Sequence, residues 1–397
     1  MSRVLLLIDA RCSVGAGILR GVNSYAHTNE LWTIDLCLAD RDPVEWLNHN
    51  KGNGIIAQVA SCELHESLRA YRLPILDVAG AYPPGDIPGV VADEVAIGEL
   101  AAEHLLLRQF RHFGYFGGVG PYWSQMRCQS FAHAIEGTGF TCQVLQLPLD
   151  SQRVRAAPHT GSAEQALTAW VRQIPKPIGV MCDNDLHGWN LVKVCRSEGI
   201  AVPDEVAILG VDNDQLLCDL TAPTLSSMEL DAFGVGLVAA RMLDQWMRGR
   251  RPTSRVTRIK PRGVVSRGST NVVATSDSDV SRAVRMIRQQ ACEGIQVDDV
   301  LETMPFSRRV FERRFKEILG HTPYQEILSV RFRRVVELLT ETELSIAEIA
   351  ARSGFGYPED LSRSFKRRYG MPAQKYREQH SIIPLTNRRP EISATGR

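Results

Sequence analysis

Apolar positions fall into two periods along the chain. From residue 3 to about 265, short runs rich in Val, Ile and Leu lie at 4–8, 34–38, 54–59, 75–78, 112–116, 178–182 and 206–211. Amphipathic stretches such as 94–109, 163–174 and 186–198 separate them. Strand and helix in alternation predict parallel sheets with helices on both faces. The plan occurs twice, so two lobes are expected. The run RGSTNVVATSDSD at 267–279 is rich in Ser, Thr and Asp, has no period and reads as a linker. From 280 to 377 the pattern is helical throughout. The polar, Pro-broken stretch 381–397 is expected to be disordered.

The helical part repeats itself. VDDVLETMPFSRRVFERRFKEILGHTP at 297–323 parallels IAEIAARSGFGYPEDLSRSFKRRYGMP at 346–372. Phe306 matches Phe355, Phe315 matches Phe365, and Gly320 matches Gly370. Each copy reads as a short helix, a tight turn and a longer helix, the helix-turn-helix plan. Pro305 ends one helix and Ser307 can cap the next. Val310, Phe311 and Phe315 can face inward in the first copy, Leu361 and Phe365 in the second. Arg308, Arg309, Glu312, Arg313 and Lys316 are left outward, as are Glu359, Asp360, Ser362, Arg363, Lys366 and Arg367. An apolar back with long donors near the N-terminus is what a helix needs to reach base edges in the major groove. A long helix over 324–339 would hold the two readers at a set separation.

Charge supports double-stranded DNA as the partner. Residues 307–377 carry fifteen Lys/Arg against nine Asp/Glu, while the whole chain has a formal net charge of only +1. The basic excess is local, the footprint of a phosphate-binding module. A helical oligomerisation domain with solvated basic faces would show the charge but not the paired repeat.

The nine cysteines are scattered with no C-x-x-C pair, which argues against a zinc site or a disulfide framework and fits reduced thiols in a cytoplasm. No metal or cofactor is expected. The opening apolar run stops at Asp9, and no window approaches 18 apolar residues, so no membrane partner is expected. VLLLIDARCSVGAGILRGVNSYA at 4–26 carries Gly15, Gly17 and Gly21. It reads as a strand, a glycine-bearing loop and a helix. A pyrophosphate cradle needs its first glycine directly after the strand; here Gly15 lies six residues beyond Asp9. The loop is therefore expected to face a cleft between the lobes, and an NAD-dependent enzyme is the weaker alternative.

LSIAEIAARSGFGYPEDLSRSFKRRYGMPAQKYR at 344–377 resembles the signature of AraC-type transcription factors, over about 100 residues. That resemblance implies base-reading roles for Arg309, Glu312 and Arg313, with Glu359, Asp360, Ser362 and Arg363 as counterparts. VVADEVAIGELAAEHLL at 90–106, GVGPYWSQMRCQSFAHAI at 118–135, GVMCDNDLHGW at 179–189 and VAILGVDNDQLLCDLTAPTLSSM at 206–228 resemble lac-repressor-type sugar-binding domains. Together the two parts resemble the xylose-operon regulators. The fold implied is a two-lobed α/β periplasmic-binding-protein-like domain, with Rossmann-like lobes, followed by an all-α tandem helix-turn-helix domain.

The expected division is an effector domain at 1–268, a linker at 269–280 and a DNA-binding domain at 281–380. The lobes would comprise 1–110 with 229–253, and 111–228 with 255–268. By resemblance Arg127, Asp185 and Asp212 would contact a small sugar, with Asp93 and Asn184 beside them and Trp123 as a stacking ring. Carboxylates, amides and a forked guanidinium suit adjacent hydroxyls, which both donate and accept. Relatives carry a Tyr-Gly-Arg-Gly-like opening loop where this chain has Val14-Gly15-Ala16-Gly17, so the identity of the sugar does not transfer. The resemblance implies a cytoplasmic homodimer that activates sugar-catabolism genes and contacts RNA polymerase. A sensor for a non-sugar ligand, or one turned into a protein scaffold, stays open.

Overall fold

Apolar runs without alternation need cover on both faces, and that is how they are used. The computed structural model describes residues 2–29, 32–38, 41–148, 161–272 and 277–380; the tail at 381–397 lies outside these. The chain divides into two compact units, 1–274 and 275–397.

The first unit opens with β1 (Ser2–Leu7), α1 (Ser13–Asn29), β2 (Trp32–Leu36), α2 (Pro43–His49), β3 (Gly54–Ala57), α3 (Cys62–Arg69), β4 (Ile75–Asp77) and β5 (Gly89–Ala92). It crosses over into α4 (Glu94–Leu106), β6 (His112–Val119), α5 (Tyr122–Glu136), β7 (Cys142–Pro148) and α6 (Ser162–Gln173). Then follow β8 (Ile178–Cys182), α7 (Asp185–Ser197), β9 (Val206–Val211), α8 (Gln215–Asp219) and β10 (Ser226–Glu229). It returns through α9 (Ala232–Met247) and β11 (Val256–Ile259), then crosses again to β12 (Gly263–Val265). One sheet runs β11-β5-β4-β3-β1-β2, all parallel. The other runs β12-β10-β9-β8-β6-β7, with only β12 antiparallel. Val4 pairs with both Ile34 and Gly54, and Tyr115 with Val144 and Met181. The two-lobed fold is as the alternating pattern predicts.

Three expectations shift. First, α4 belongs to the second lobe: Ile97, Ala101 and Leu105 pack with Phe113, Phe131 and Met181. β11 belongs to the first, beside β5. The lobes are therefore 2–92 with 230–259 and 94–229 with 263–272, because burial of α4's apolar face outweighs its position in sequence.

Second, the supposed linker begins inside the fold. Ser269 and Thr270 are fully buried. The Ser269 hydroxyl donates to the Ile208 carbonyl at 2.5 Å and accepts from the Ser226 amide at 2.8 Å. The Thr270 hydroxyl meets Ser226 Oγ and His104 Nε2, and its carbonyl accepts from Arg108. Hydroxyl-rich sequence signals solvation only when the hydroxyls lack internal partners.

Third, the three glycines lie within α1. Its Ile18 and Val22 are buried against the sheet, and it packs along α9. A Cβ at Gly21 would stand 2.1 Å from the Phe233 carbonyl oxygen; one at Gly236 would stand 2.0 Å from that of Ile18. One at Gly17 would meet Ala232 Cβ at 2.7 Å. Gly17 and Gly21 allow two helices to touch backbone to backbone, a packing role inside the first lobe, while Gly15 makes room for the Asp9 carbonyl, 2.0 Å from where its Cβ would stand.

The second unit is helical: α10 (Ser278–Gln290), α11 (Val297–Leu301), α12 (Arg308–Leu319), α13 (Pro323–Glu341), α14 (Ile346–Arg352), α15 (Pro358–Tyr369) and α16 (Ala373–His380). Asp277 caps α10 through the amides of Asp279 and Val280. α12 and α15 each end on a left-handed glycine, Gly320 (φ 75°) and Gly370 (φ 73°), the expected stop. Capping boxes start α13 (Thr322/Gln325) and α14 (Ser345/Glu348). No helix among the described residues is long and apolar enough to cross a membrane.

Candidate functional site

In open parallel sheets the loops at the carboxyl edge collect ligand-binding groups. At that edge of the second lobe sits Arg127, 4% exposed. Its Nε donates to Glu94 Oε2 at 2.5 Å and a terminal nitrogen donates to the Asp183 carbonyl at 2.5 Å. Its guanidinium lies 4.9 Å from the centre of the half-buried Trp123 ring, a cation–π contact. Burial works to lower Arg127, but Glu94 and Asp212 outweigh it and hold the guanidinium above its usual range. Burial pushes the Glu94 carboxyl up, and Arg127 offsets this in part.

Asp183 is wholly buried. Its carboxylate accepts from the Gly118 amide at 2.8 Å, from Ser124 Oγ at 2.9 Å, and from His187 Nδ1. Burial opposes its charge, yet His187 and these donors hold it below the usual carboxylate range. Asn184 caps α7 by accepting the His187 amide at 2.8 Å. Asp93 caps α4 by accepting the Ala96 amide at 3.3 Å.

Asp185 is placed differently from the ligand-facing role expected of it. It is 1% exposed, and its oxygens accept from Ser227 Oγ (2.5 Å), the Asp214 amide (2.7 Å) and Cys218 Sγ (3.6 Å). Burial, then the charge of Asp212, pushes its carboxyl well above the usual range. It ties the loop after β9 to β10. Asp212 stays half-buried in that loop at φ 110°, followed by Asn213 at φ 49°. Two successive non-glycine residues in the left-handed region cost energy that packing must repay, a pattern frequent at ligand sites.

Arg127, Trp123, Asp212 and Asn184 thus share one edge with Asp93 at the crossover. Sequence reading passed over Glu94 and Asp183, each one residue from a named candidate. The signal was there: both are carboxylates at the end of an apolar strand. What could not be read is which of two adjacent carboxylates turns inward.

In the second unit α12 buries Phe311 and Phe315 and exposes Arg308, Arg309, Arg313 and Lys316, with Glu312 half-buried. α15 buries Leu361 and Phe365 and exposes Glu359, Asp360, Ser362, Arg363, Lys366 and Arg367. The faces are those the periodicity predicts. Their donors are unequal. Arg308 is held by both Glu312 (2.9 Å) and Asp298 (2.8 Å), and Arg363 by Asp360 (3.2 Å). Arg313 approaches Glu317 only at 3.8 Å. Arg314 turns inward, bonded to Asp277 and lying over Phe306 at 4.5 Å. Tyr357 is 70% exposed beside the first turn of α15.

α13, about 28 Å long at 1.5 Å per residue, carries Arg331, 6% exposed. Arg331 donates to the carbonyls of Ala291 and Ile295, both at 2.8 Å, and lies 5.9 Å over the Phe355 ring. Gly354 (φ 75°) packs against the same Ala291 carbonyl. The turn of the second reader is thereby clamped to the connection that precedes the first. Arg331→Met keeps bulk but leaves two carbonyls without donors. It is expected to lower unfolding stability by about 1–3 kcal/mol, seen as a shifted denaturant midpoint. An unmoved midpoint would mean that the clamp is idle.

Comparison with known proteins agrees with both units. Residues 102–270 match the model of a periplasmic binding protein-like domain, and 301–379 that of a helix-turn-helix domain. The chain is 27% identical over 395 residues to the xylose operon regulatory protein of Escherichia coli K12, covering 96% of this chain and 98% of that one. It is 27% identical over 386 residues to the protein of the same name from Haemophilus influenzae, covering 94% and 98%. Among solved structures, that of a xylose-binding transcription activator, XylR, superimposes with a TM-score of 0.66 at 26% identity, covering 96% and 98%.

Proposed function

We propose that this chain, a transcription regulator and not an enzyme, built from a periplasmic-binding-protein-like domain and an AraC-type helix-turn-helix module, takes a small pentose-like sugar between its lobes. Sugar binding changes its hold on a specific duplex, and activation of sugar-catabolism genes is the output. The observation that carries the reading is the Arg127 cluster: a buried, permanently charged fork beside Asp212, a half-buried carboxylate on strained backbone. Arg127, Asp212 and Asn184 are the polyol contacts, with Asp93 at the crossover and Trp123 over the apolar face. Asp185, Glu94 and Asp183 position them. A ligand shifts the protein only by the difference of its affinity for two arrangements; groups drawn from a crossover and two strand ends can supply one.

On the DNA side Arg309 and Arg313 read bases in the first module. Arg308 sits in ion pairs that it must exchange for phosphate. Glu312, Lys316, Glu359, Asp360, Ser362, Arg363, Lys366 and Arg367 line the rest of the interface. A homodimer is the proposed acting species.

The test uses the full chain. It selects duplexes from a random pool, and the chosen duplex is titrated with and without D-xylose, L-arabinose and D-ribose at millimolar concentration. One pentose should change duplex affinity and raise the melting temperature, by about 2.7 kcal/mol of stabilisation at a hundredfold excess over Kd. Arg313→Ala should cost about 1–3 kcal/mol on the selected site and far less on random DNA. Selection without any pentose response would remove the sugar and leave a regulator whose sensor is a scaffold or takes another ligand.

A further inference from the structure

A concavity lies against β5 and β11 of the first sheet, lined in part by the connection at 78–88. It is partly open to solvent. Its walls come from both lobes: Val59, His65, Tyr82 and Val91 from the first, Tyr122 and Met126 of α5 from the second. A rung joins the lobes here, the Tyr122 amide donating to the Ala81 carbonyl at 2.9 Å.

The chemistry of this pocket is opposite to that of the Arg127 cluster. Tyr82 and His65 stack at 5.1 Å and 18°, forming one flat wall. The Tyr82 hydroxyl is spent on Cys62 Sγ at 3.3 Å. The pocket has two carboxylates, and both are committed. Asp77 accepts the amides of Val59 (3.1 Å), Ala79 (2.9 Å) and Gly80 (3.0 Å). Glu94 holds Arg127. Arg258 and the His65 and Tyr122 rings also line it, yet the larger part of the wall is apolar and suits a ring-sized apolar group better than a polyol. Glu94 is shared: it lines this pocket and its carboxylate grips the arginine of the polyol site. Met126 directly precedes Arg127.

We propose that the effector is amphiphilic: a sugar carrying an apolar, ring-sized aglycone, its polyol at the Arg127 cluster and its aglycone between the Tyr82–His65 wall and Tyr122 and Met126. This deepens the sugar reading above and rests on it.

The experiment is calorimetric titration of the full-length protein with free, methyl and phenyl glycosides of D-xylose, L-arabinose and D-glucose, in both anomers. For at least one sugar the phenyl glycoside should bind at least tenfold more tightly than the methyl glycoside. Tyr82→Ala should bring that ratio close to one. Val95→Phe, which fills the pocket from an exposed position on α4, should do the same, so a folding defect in one variant does not decide the matter. Methyl and phenyl glycosides binding alike would overturn the aglycone site while leaving the sugar reading intact. A phenyl preference that survives both substitutions would place the ring elsewhere and overturn it too. If no free sugar or glycoside binds, the sugar reading fails, and this inference with it.

Discussion

Gly21→Ala is expected to cost the first unit about 3 kcal/mol, although alanine favours a helix by about 1 kcal/mol over glycine. The added carbon would stand 2.1 Å from the Phe233 carbonyl oxygen, 2.7 Å from the Leu237 amide and 3.1 Å from the Gly236 carbonyl carbon. All three are backbone atoms, so no side chain can swing aside. α1 must retreat from α9 by about 1 Å, and overpacking of this kind costs 1–3 kcal/mol or more. The retreat also loosens Ile18 and Val22 against Ala239 and Leu243 in the same core. Gly137→Ala serves as the control. It sits at φ −58°, and a Cβ there meets nothing closer than 3.4 Å. The control should be neutral or slightly stabilising. Equal unfolding midpoints for the two variants would show that the helices are not in backbone contact, and the packing role of the glycines would fall.

That prediction marks where sequence reading stopped. The alternation of periods specified two lobes and a helical module, and the repeat at 297–323 and 346–372 specified both helix-turn-helix units down to the buried Phe311, Phe315, Leu361 and Phe365. These are local patterns, and one face of one element decides them. The glycines are different. The purpose of Gly17 and Gly21 is set by α9, more than 200 residues away in sequence, so nothing near them could reveal it. Ser269 and Thr270 went astray for the same reason: the Ile208 carbonyl and Ser226 that satisfy them come from strands far upstream. At the candidate site, residue types and strand ends were legible and side-chain direction was not. Asp183, Asn184 and Asp185 are three adjacent polar residues with three fates: a buried acceptor, a helix cap and a loop tie. Asp185 is held by Ser227 and the Asp214 amide, which lie on other elements.

Arg127→Met carries the other large effect, and pH exposes its origin. The substitution keeps an unbranched apolar stem and removes the charge. Two groups lose their donor, the Glu94 carboxylate and the Asp183 carbonyl. Leaving one partner of a buried pair uncompensated costs about 3–5 kcal/mol. The carbonyl's share does not change with pH, but the carboxylate's does. Burial already places the folded pKa of Glu94 above its ordinary 4.5, and Arg127 is the chief opposing influence. Without it the folded value rises further. An acid with a raised folded pKa binds its proton more tightly in the native state, so the native state is favoured by acid. The extra cost of Arg127→Met is therefore smallest below the folded pKa that Glu94 has in the wild type, which is itself raised, grows between that value and the still higher one in the variant, and is complete above it. Stability of the variant relative to wild type, measured at pH 5 and pH 8, should differ, with the greater loss at pH 8. Taking the difference at each pH removes the titration of Asp183 and the other carboxylates common to both chains. Adding Glu94→Gln to Arg127→Met should abolish the pH dependence and restore part of the stability, since a buried amide has no charge to leave unpaired. Equal losses at both pH values would mean that Glu94 is not charged in the native protein, and that the Arg127 fork is held by the Asp183 carbonyl and the Trp123 ring alone.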